Sequence, residues 1–130
     1  MSAYYVPSGR LLQCVCEQQG TGTFMPSPTG GLAWMDSTAS DPSIEGLAQP
    51  RCAQSPKGFS FPATASMGTY GAEAATSVEA EPIVLVGVRA CELRARKFLD
   101  GVLTGGEFDD ADYAARRDAT TVVSCDCVEC

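Results

Sequence analysis

The chain has 130 residues, with 16 acidic against nine basic side chains, a formal net charge of −7 and a pI near 4.4. That length suits one domain, or part of one, with a modest core, and the acidic balance argues against nucleic acid or an anionic membrane surface as the main partner. Histidine is absent, which removes Ser-His-Asp and Cys-His catalysis, Rieske centres and every His-containing zinc site, so any metal must be held by thiolates, with a carboxylate as the further choice.

The N-terminal Tyr4-Tyr5-Val6 suggests a short edge strand. A helix is expected over Gly9–Gln19, with Ser8 as its cap and Gly20 as its stop. Its buried stripe would be Leu11, Leu12, Val15 and Cys16. Cys14 and Cys16 fall about 200° apart around such a helix and are read as structural rather than as ligands of one metal. Thr23-Phe24-Met25-Pro26, the Gly30-Gly31 turn and Leu32-Ala33-Trp34-Met35 read as a β-hairpin, with Pro26 demoting its first strand to an edge. From Asp36 to Pro50 the composition is that of a loop. Phe59 and Phe61, two apart in a Pro- and Ser-rich stretch, would share a face if that stretch is extended. Cys52 receives no role. The Ala-rich run from Gly68 to Glu81 could support a short helix that ends before Pro82.

The pattern sharpens at Pro82. Ile83 to Val88 is an unbroken β-branched and aliphatic run. A strand of that kind has no face suited to water, the habit of parallel sheets covered on both sides. Ala95, Phe98, Leu99, Val102 and Leu103 then recur at helical spacing, with Arg94, Arg96, Lys97 and Asp100 on the other face, so an amphipathic helix is expected near Glu92–Leu103. Asp109 or Asp110 can cap a further short helix through Tyr113 to Arg117, and Thr120–Ser124 reads as a second strand. A βαβ unit would make the two strands neighbouring and parallel. The fold class expected is therefore α/β, with a parallel βαβ core in the C-terminal half and a less regular α+β N-terminal half. Residues 1–67 would form that irregular region and 68–130 the βαβ region, together one domain. Val84, Val86, Phe98, Leu99, Val102 and Val122 are the expected core.

The chemistry lies in the seven cysteines. No stretch is apolar and long enough to span a bilayer, and no signal-peptide pattern is present, so a cytoplasmic protein with reduced thiols is expected. An odd count clustered at the C-terminal end then points to metal rather than a disulfide framework. Cys125, Cys127 and Cys130 have the spacing C-x-C-x₂-C, three thiolates able to share one iron–sulfur cluster or one zinc. The βαβ reading would bring Cys91 to the same rim as a fourth ligand, since open α/β sheets bind their ligands at the carboxyl ends of strands. Arg89, beside Cys91, would offset the negative charge of such a site and is the candidate cofactor-binding residue. Six of the nine cations, Arg89, Arg94, Arg96, Lys97, Arg116 and Arg117, fall in this region. They make either a solvated helix face or a positive rim for an anionic cofactor or acidic redox partner.

Gly87-Val88-Arg89-Ala90-Cys91-Glu92-Leu93, then Phe108 to Arg117, then Thr121-Val122-Val123-Ser124-Cys125 resemble, in that order, an iron–sulfur family. It includes the 4Fe-4S dicluster proteins of anaerobic sulfite reductase and of cytoplasmic sulfhydrogenases, where they form the beta chain. The family's strand-end motif is Gly-Val-Arg-Pro-Cys-Asp, from which this chain departs at Ala90 and Glu92. Ser55-Pro56-Lys57-Gly58-Phe59-Ser60-Phe61-Pro62 is similar to the family's Pro-Lys-x-Phe-x-Phe-Pro stretch. The resemblance implies an electron-transfer component of an anaerobic oxidoreductase complex, carrying a 4Fe-4S cluster in the full-length protein and working with other subunits that hold the catalytic site. Family members continue into a ferredoxin-like module with C-x₂-C-x₂-C-x₃-C-P runs, which these residues lack, so the sequence is expected to be the N-terminal portion of a longer protein. Two other readings stay open: a structural zinc module with Cys91, Cys125, Cys127 and Cys130 as a Cys₄ set, and a metal-free assembly domain.

Overall fold

The computed structural model describes residues 5–19, 22–27, 29–34, 44–48, 52–65, 80–107 and 109–126. Helix α1 (Ser8–Gln19) leads into a hairpin of β1 (Thr23–Pro26) and β2 (Leu32–Trp34). A 3₁₀ turn at Ile44–Ala48 and the one-turn helix α2 (Lys57–Ser60) follow. Strand β3 (Ile83–Val88), helix α3 (Ala90–Leu103), helix α4 (Ala111–Asp118) and strand β4 (Thr120–Ser124) complete the chain. The four strands form one mixed sheet in the order β2-β1-β3-β4, in which β1, β3 and β4 are parallel and β2 runs against β1. The fold is thus α/β, and β3 and β4 are the expected parallel neighbours, joined through α3 and α4.

The hairpin does not stay apart from the βαβ unit. Strand β1 lies between β2 and β3, pairing Thr23 with Val84 and Phe24 with Leu85, so Pro26 does not mark an edge strand. A proline is tolerated here because it sits beyond the two residues that pair with β3 and faces Leu32 of the hairpin instead. The edges are β2 and β4.

One face of the sheet closes into a core in which Leu12 of α1 packs with Met25, Val84 and Val86, with Val15, Leu47 and Val123 against them. Val84 has no accessible surface (0 % exposed) and Leu12 and Val86 are each 2 % exposed. Leu85, between the two valines, points to the opposite face, and Phe24, its partner in β1, shares that direction. There Phe24 meets the ring of Phe59 with centroids 4.6 Å apart, which places α2 on the second face. Tyr113 of α4 is buried on the same side.

Between these faces the register of β3 slips. Val86 pairs with Val123 and Val88 with Ser124, leaving Gly87 as an extra residue. Gly87 has φ +83°, and a Cβ built on it would come 2.6 Å from Leu47 Cδ2. Only glycine suits both the backbone angle and the close approach. Because Ser124 faces opposite to Val123, its partner Val88 faces opposite to Val86, and Arg89 returns to the side of Val86 and Leu47.

Several local expectations are corrected. The first helical hydrogen bond joins Leu11 N–H to the Pro7 carbonyl, so the cap is Pro7 and not Ser8. Leu11 and Cys14 are exposed on α1, and Tyr5 and Val6 are exposed and in no strand. Phe59 and Phe61 do not share a face: α2 turns the backbone, Phe59 packs on Phe24 and Phe61 is exposed. The stretch after the hairpin contains the 3₁₀ turn at Ile44–Ala48. The helix considered from Gly68 to Glu81 lies almost wholly outside the described residues.

The largest correction concerns α3. Phe98 and Val102, expected in the core, are 71 % and 57 % exposed, whereas Leu99 and Val122 are half-buried. The inward stripe of α3 is Glu92, Leu93, Arg96, Leu99, Asp100 and Leu103. It has the same helical period, rotated by about one residue, or 100°. Polar partners cause the rotation. Asp100 Oδ1 accepts from Tyr113 Oη at 2.7 Å and from Arg117 Nε at 3.0 Å, both on α4, and Arg96 Nη2 donates to the Arg117 carbonyl at 3.4 Å. A count of apolar residues assigns those side chains to water.

Candidate functional site

The carboxyl rim of β3 and β4 is built by short-range rules. Strand β3 ends at Val88, and α3 begins two residues later. The Arg89 N–H donates to Glu92 Oε2 at 2.9 Å, so the carboxylate three residues into the helix satisfies a donor that would otherwise be lost at the helix start. Cys91 therefore stands in the first turn of α3, exposed. On the neighbouring strand, Cys125 follows Ser124 directly, and its N–H donates to the Val88 carbonyl at 3.1 Å, extending the ladder by one bond. Cys91 and Cys125 thus leave the same end of adjacent parallel strands, both as free thiols. Cys127 and Cys130 lie outside the described residues, and among the described residues no group of three or more Cys, Asp or Glu side chains is placed to hold a metal ion. The described rim offers two thiols, half the set that a cubane cluster or a structural zinc takes.

Arg89 is held away from Cys91. It is 3 % exposed, and its two terminal nitrogens donate to the backbone carbonyls of Asp126 and Leu47. The phase shift at Gly87 accounts for this, since it directs Arg89 to the side of Leu47. The guanidinium ties the 3₁₀ turn to the segment just after Cys125. A buried cation is tolerable only with such partners.

Cys91 lines a cavity of about 380 Å³ on the second face of the sheet, with Arg96, Phe98 and Leu99 of α3, Lys57 of α2 and Tyr113 of α4. Its floor includes Val88, turned there by the bulge; Arg89 does not line it. Behind the cavity sits the Asp100–Tyr113–Arg117 group. Burial alone would raise the Asp100 carboxyl, but the Tyr113 and Arg117 hydrogen bonds, with the Arg117 and Arg96 charges, outweigh it and hold the group below the ordinary aspartate value. Burial and then the hydrogen bond to Asp100 push Tyr113 up to about 12. Asp110 caps α4, its Oδ1 accepting from Tyr113 N–H at 2.9 Å.

Of the six cations considered as a positive rim, Arg89 is buried on carbonyls, Arg117 and Arg116 pair with Asp100 and Asp112, and Arg96 is half-buried. Arg94 and Lys97 are exposed on α3. Sequence reasoning missed both the cavity and the Asp100 group. The signal that could have found them is the spacing of Arg96 and Asp100, which share a helix face with Leu99 and Leu103. Cys52, for which no role is expected, is buried and its thiol donates to the Gly30 carbonyl at 3.3 Å, bracing the hairpin turn.

No protein-family model, no curated protein and no solved structure matches this chain. No helix among the described residues is long and apolar enough to cross a membrane.

Proposed function

We propose that this chain is part of the electron-transfer subunit of an anaerobic iron–sulfur oxidoreductase of the sulfite reductase or hydrogenase type. It works in the cytoplasm beside other subunits that carry the catalytic site. The observation that supports the reading is the shared rim: residues 34 apart in sequence, Cys91 and Cys125, leave the same end of two hydrogen-bonded parallel strands. Cys127 and Cys130, close in sequence to Cys125, complete a Cys₄ set able to hold a 4Fe-4S cluster. Such a cluster supplies a one-electron relay. The chain's own part is to hold the thiolates in place: the capped first turn of α3 fixes Cys91, and Arg89 clamps the Asp126 carbonyl at the start of the cysteine tail.

The test is reconstitution of the chain with iron and sulfide under argon, read by metal and sulfide analysis, visible absorption and electron paramagnetic resonance. The expected result is a brown protein with about four irons per chain, losing colour and iron in both Cys91→Ser and Cys125→Ser. A colourless protein that takes up one zinc, lost in the same two variants, would assign the rim to a structural zinc module. Retention of the cluster in Cys91→Ser would remove Cys91 from the site.

A further inference from the structure

The cavity beside α3 has an imbalance of charge that does not depend on the cluster reading. Arg96 lines it, and its Nε is fully buried with no hydrogen-bond partner among the described residues. Its Nη2 has a long contact, 3.4 Å, with the Arg117 carbonyl. The carboxylate that acts on its charge, Asp100, is already taken by Tyr113 Oη and Arg117 Nε. Burial first, and then the like charge of Arg117, pull the Arg96 guanidinium below the usual arginine value. Glu92 also borders the cavity, but its Oε2 accepts the Arg89 N–H at the helix cap. On the opposite wall stands a second cation, Lys57, and neither Lys57 nor Arg96 forms an ion pair among the described residues. A buried donor without a partner is costly, and a charged one more so, so the site is completed by an acceptor that brings negative charge.

The walls define the rest of the ligand. Ala95, Phe98 and Leu99 of α3 present an apolar surface, and Val88 and Pro56 continue it. A volume of about 380 Å³ is in the range of small-molecule sites, which combine apolar walls with a few fixed polar groups. We propose that this cavity binds a small organic anion, its carboxylate or sulfonate held by Arg96 and Lys57 and its flat apolar body lying against Ala95, Phe98 and Leu99. The inference goes beyond electron transfer, and it stands if the rim holds zinc or no metal.

The experiment titrates the 130-residue chain with 8-anilinonaphthalene-1-sulfonate and, in parallel, with N-phenyl-1-naphthylamine, which has the same rings without the sulfonate. Saturable binding of one sulfonate probe per chain is expected, weakening as salt is raised, with the neutral probe binding at least about tenfold more weakly. Arg96→Gln should weaken the sulfonate probe by about tenfold or more. Arg94→Gln makes the same charge change on the exposed side of α3 and should leave it unchanged. Equal binding of the two probes, or equal effects of Arg96→Gln and Arg94→Gln, would reduce the site to an apolar patch and overturn the proposal. So would absence of saturable binding. Near-ultraviolet circular dichroism checks the fold of each variant. Should Arg96→Gln fail that check, Lys57→Gln on the exposed side of α2 decides in its place: weaker sulfonate binding supports the site, and unchanged binding overturns it.

Discussion

On one face of the sheet Leu12, Met25, Val84 and Val86 close against one another until almost no surface is left, whereas on the other α3 stands over a cavity and turns Phe98 and Val102 to solvent. Both faces belong to the same strands, and the residues flanking Leu85 serve one side while Leu85 serves the other. The difference lies in what covers them. Helix α1 offers an apolar side chain to the sheet, so contact and dehydration coincide. Helix α3 offers Arg96 and Asp100 to α4, and satisfying those groups fixes its rotation before its apolar stripe can be buried. Hydrogen bonds of charged groups, once desolvated, outrank the burial of one phenylalanine.

Substitutions on the two faces should therefore separate cleanly in a denaturant titration. The largest loss is expected for Leu12→Ala on the closed face, about 2–5 kcal/mol, the range for large-to-small changes in packed cores. A cost below about 1 kcal/mol would mean that α1 is only loosely docked. Next comes Tyr113→Phe on the open face, about 1.5–3 kcal/mol for losing a hydrogen bond to a charged carboxylate. Its pH dependence sharpens the comparison. Tyr113 is raised in the folded chain, so its contribution is complete below its ordinary value of 10 and is lost as the pH climbs towards about 12. Asp100 is depressed, so its contribution is present above its ordinary value of 3.8 and is lost as the pH falls further. Wild type should lose stability in both windows, and Tyr113→Phe should flatten the alkaline one; an unchanged alkaline limb would detach Tyr113 from the network. The smallest effect is expected for Phe98→Ser, within about 0.5 kcal/mol as for other surface positions. A loss of several kcal/mol would place Phe98 in the core and return α3 to the rotation that its apolar spacing suggests.

Strands β3 and β4 are legible in the sequence because an aliphatic run and a β-branched run each admit little else, and their parallel pairing follows from the helical pattern between them. The shared rim of Cys91 and Cys125 comes with that topology. The rotation of α3 is not legible, because Arg96 and Asp100 count as solvent-facing until their partners on α4 are known, and those partners are 13 to 21 residues away. Insertion of β1 beside β3 is hidden by Pro26, whose rule applies to residues that must donate to a neighbour, and Pro26 lies past that pairing. Arg89 is expected beside Cys91 because nothing in the string Gly87-Val88-Arg89 announces a residue outside the alternation.

The extra residue at Gly87 sets the parity of everything after it. Counting from Val84 by twos, a regular strand would send Val88 to the closed face and Arg89 towards the cavity; the additional step reverses both assignments. Deletion and straightening are therefore unequal edits. Removing Gly87 would let Val88 follow Val86 directly, still opposite Ser124 and still facing the cavity, with Arg89 still on the side of Leu47. Keeping the residue but forcing it into ordinary strand geometry would exchange a valine for a guanidinium at the cavity floor and leave the Asp126 and Leu47 carbonyls without their clamp. At this position a chain one residue shorter preserves the plan, whereas one of unchanged length can invert it.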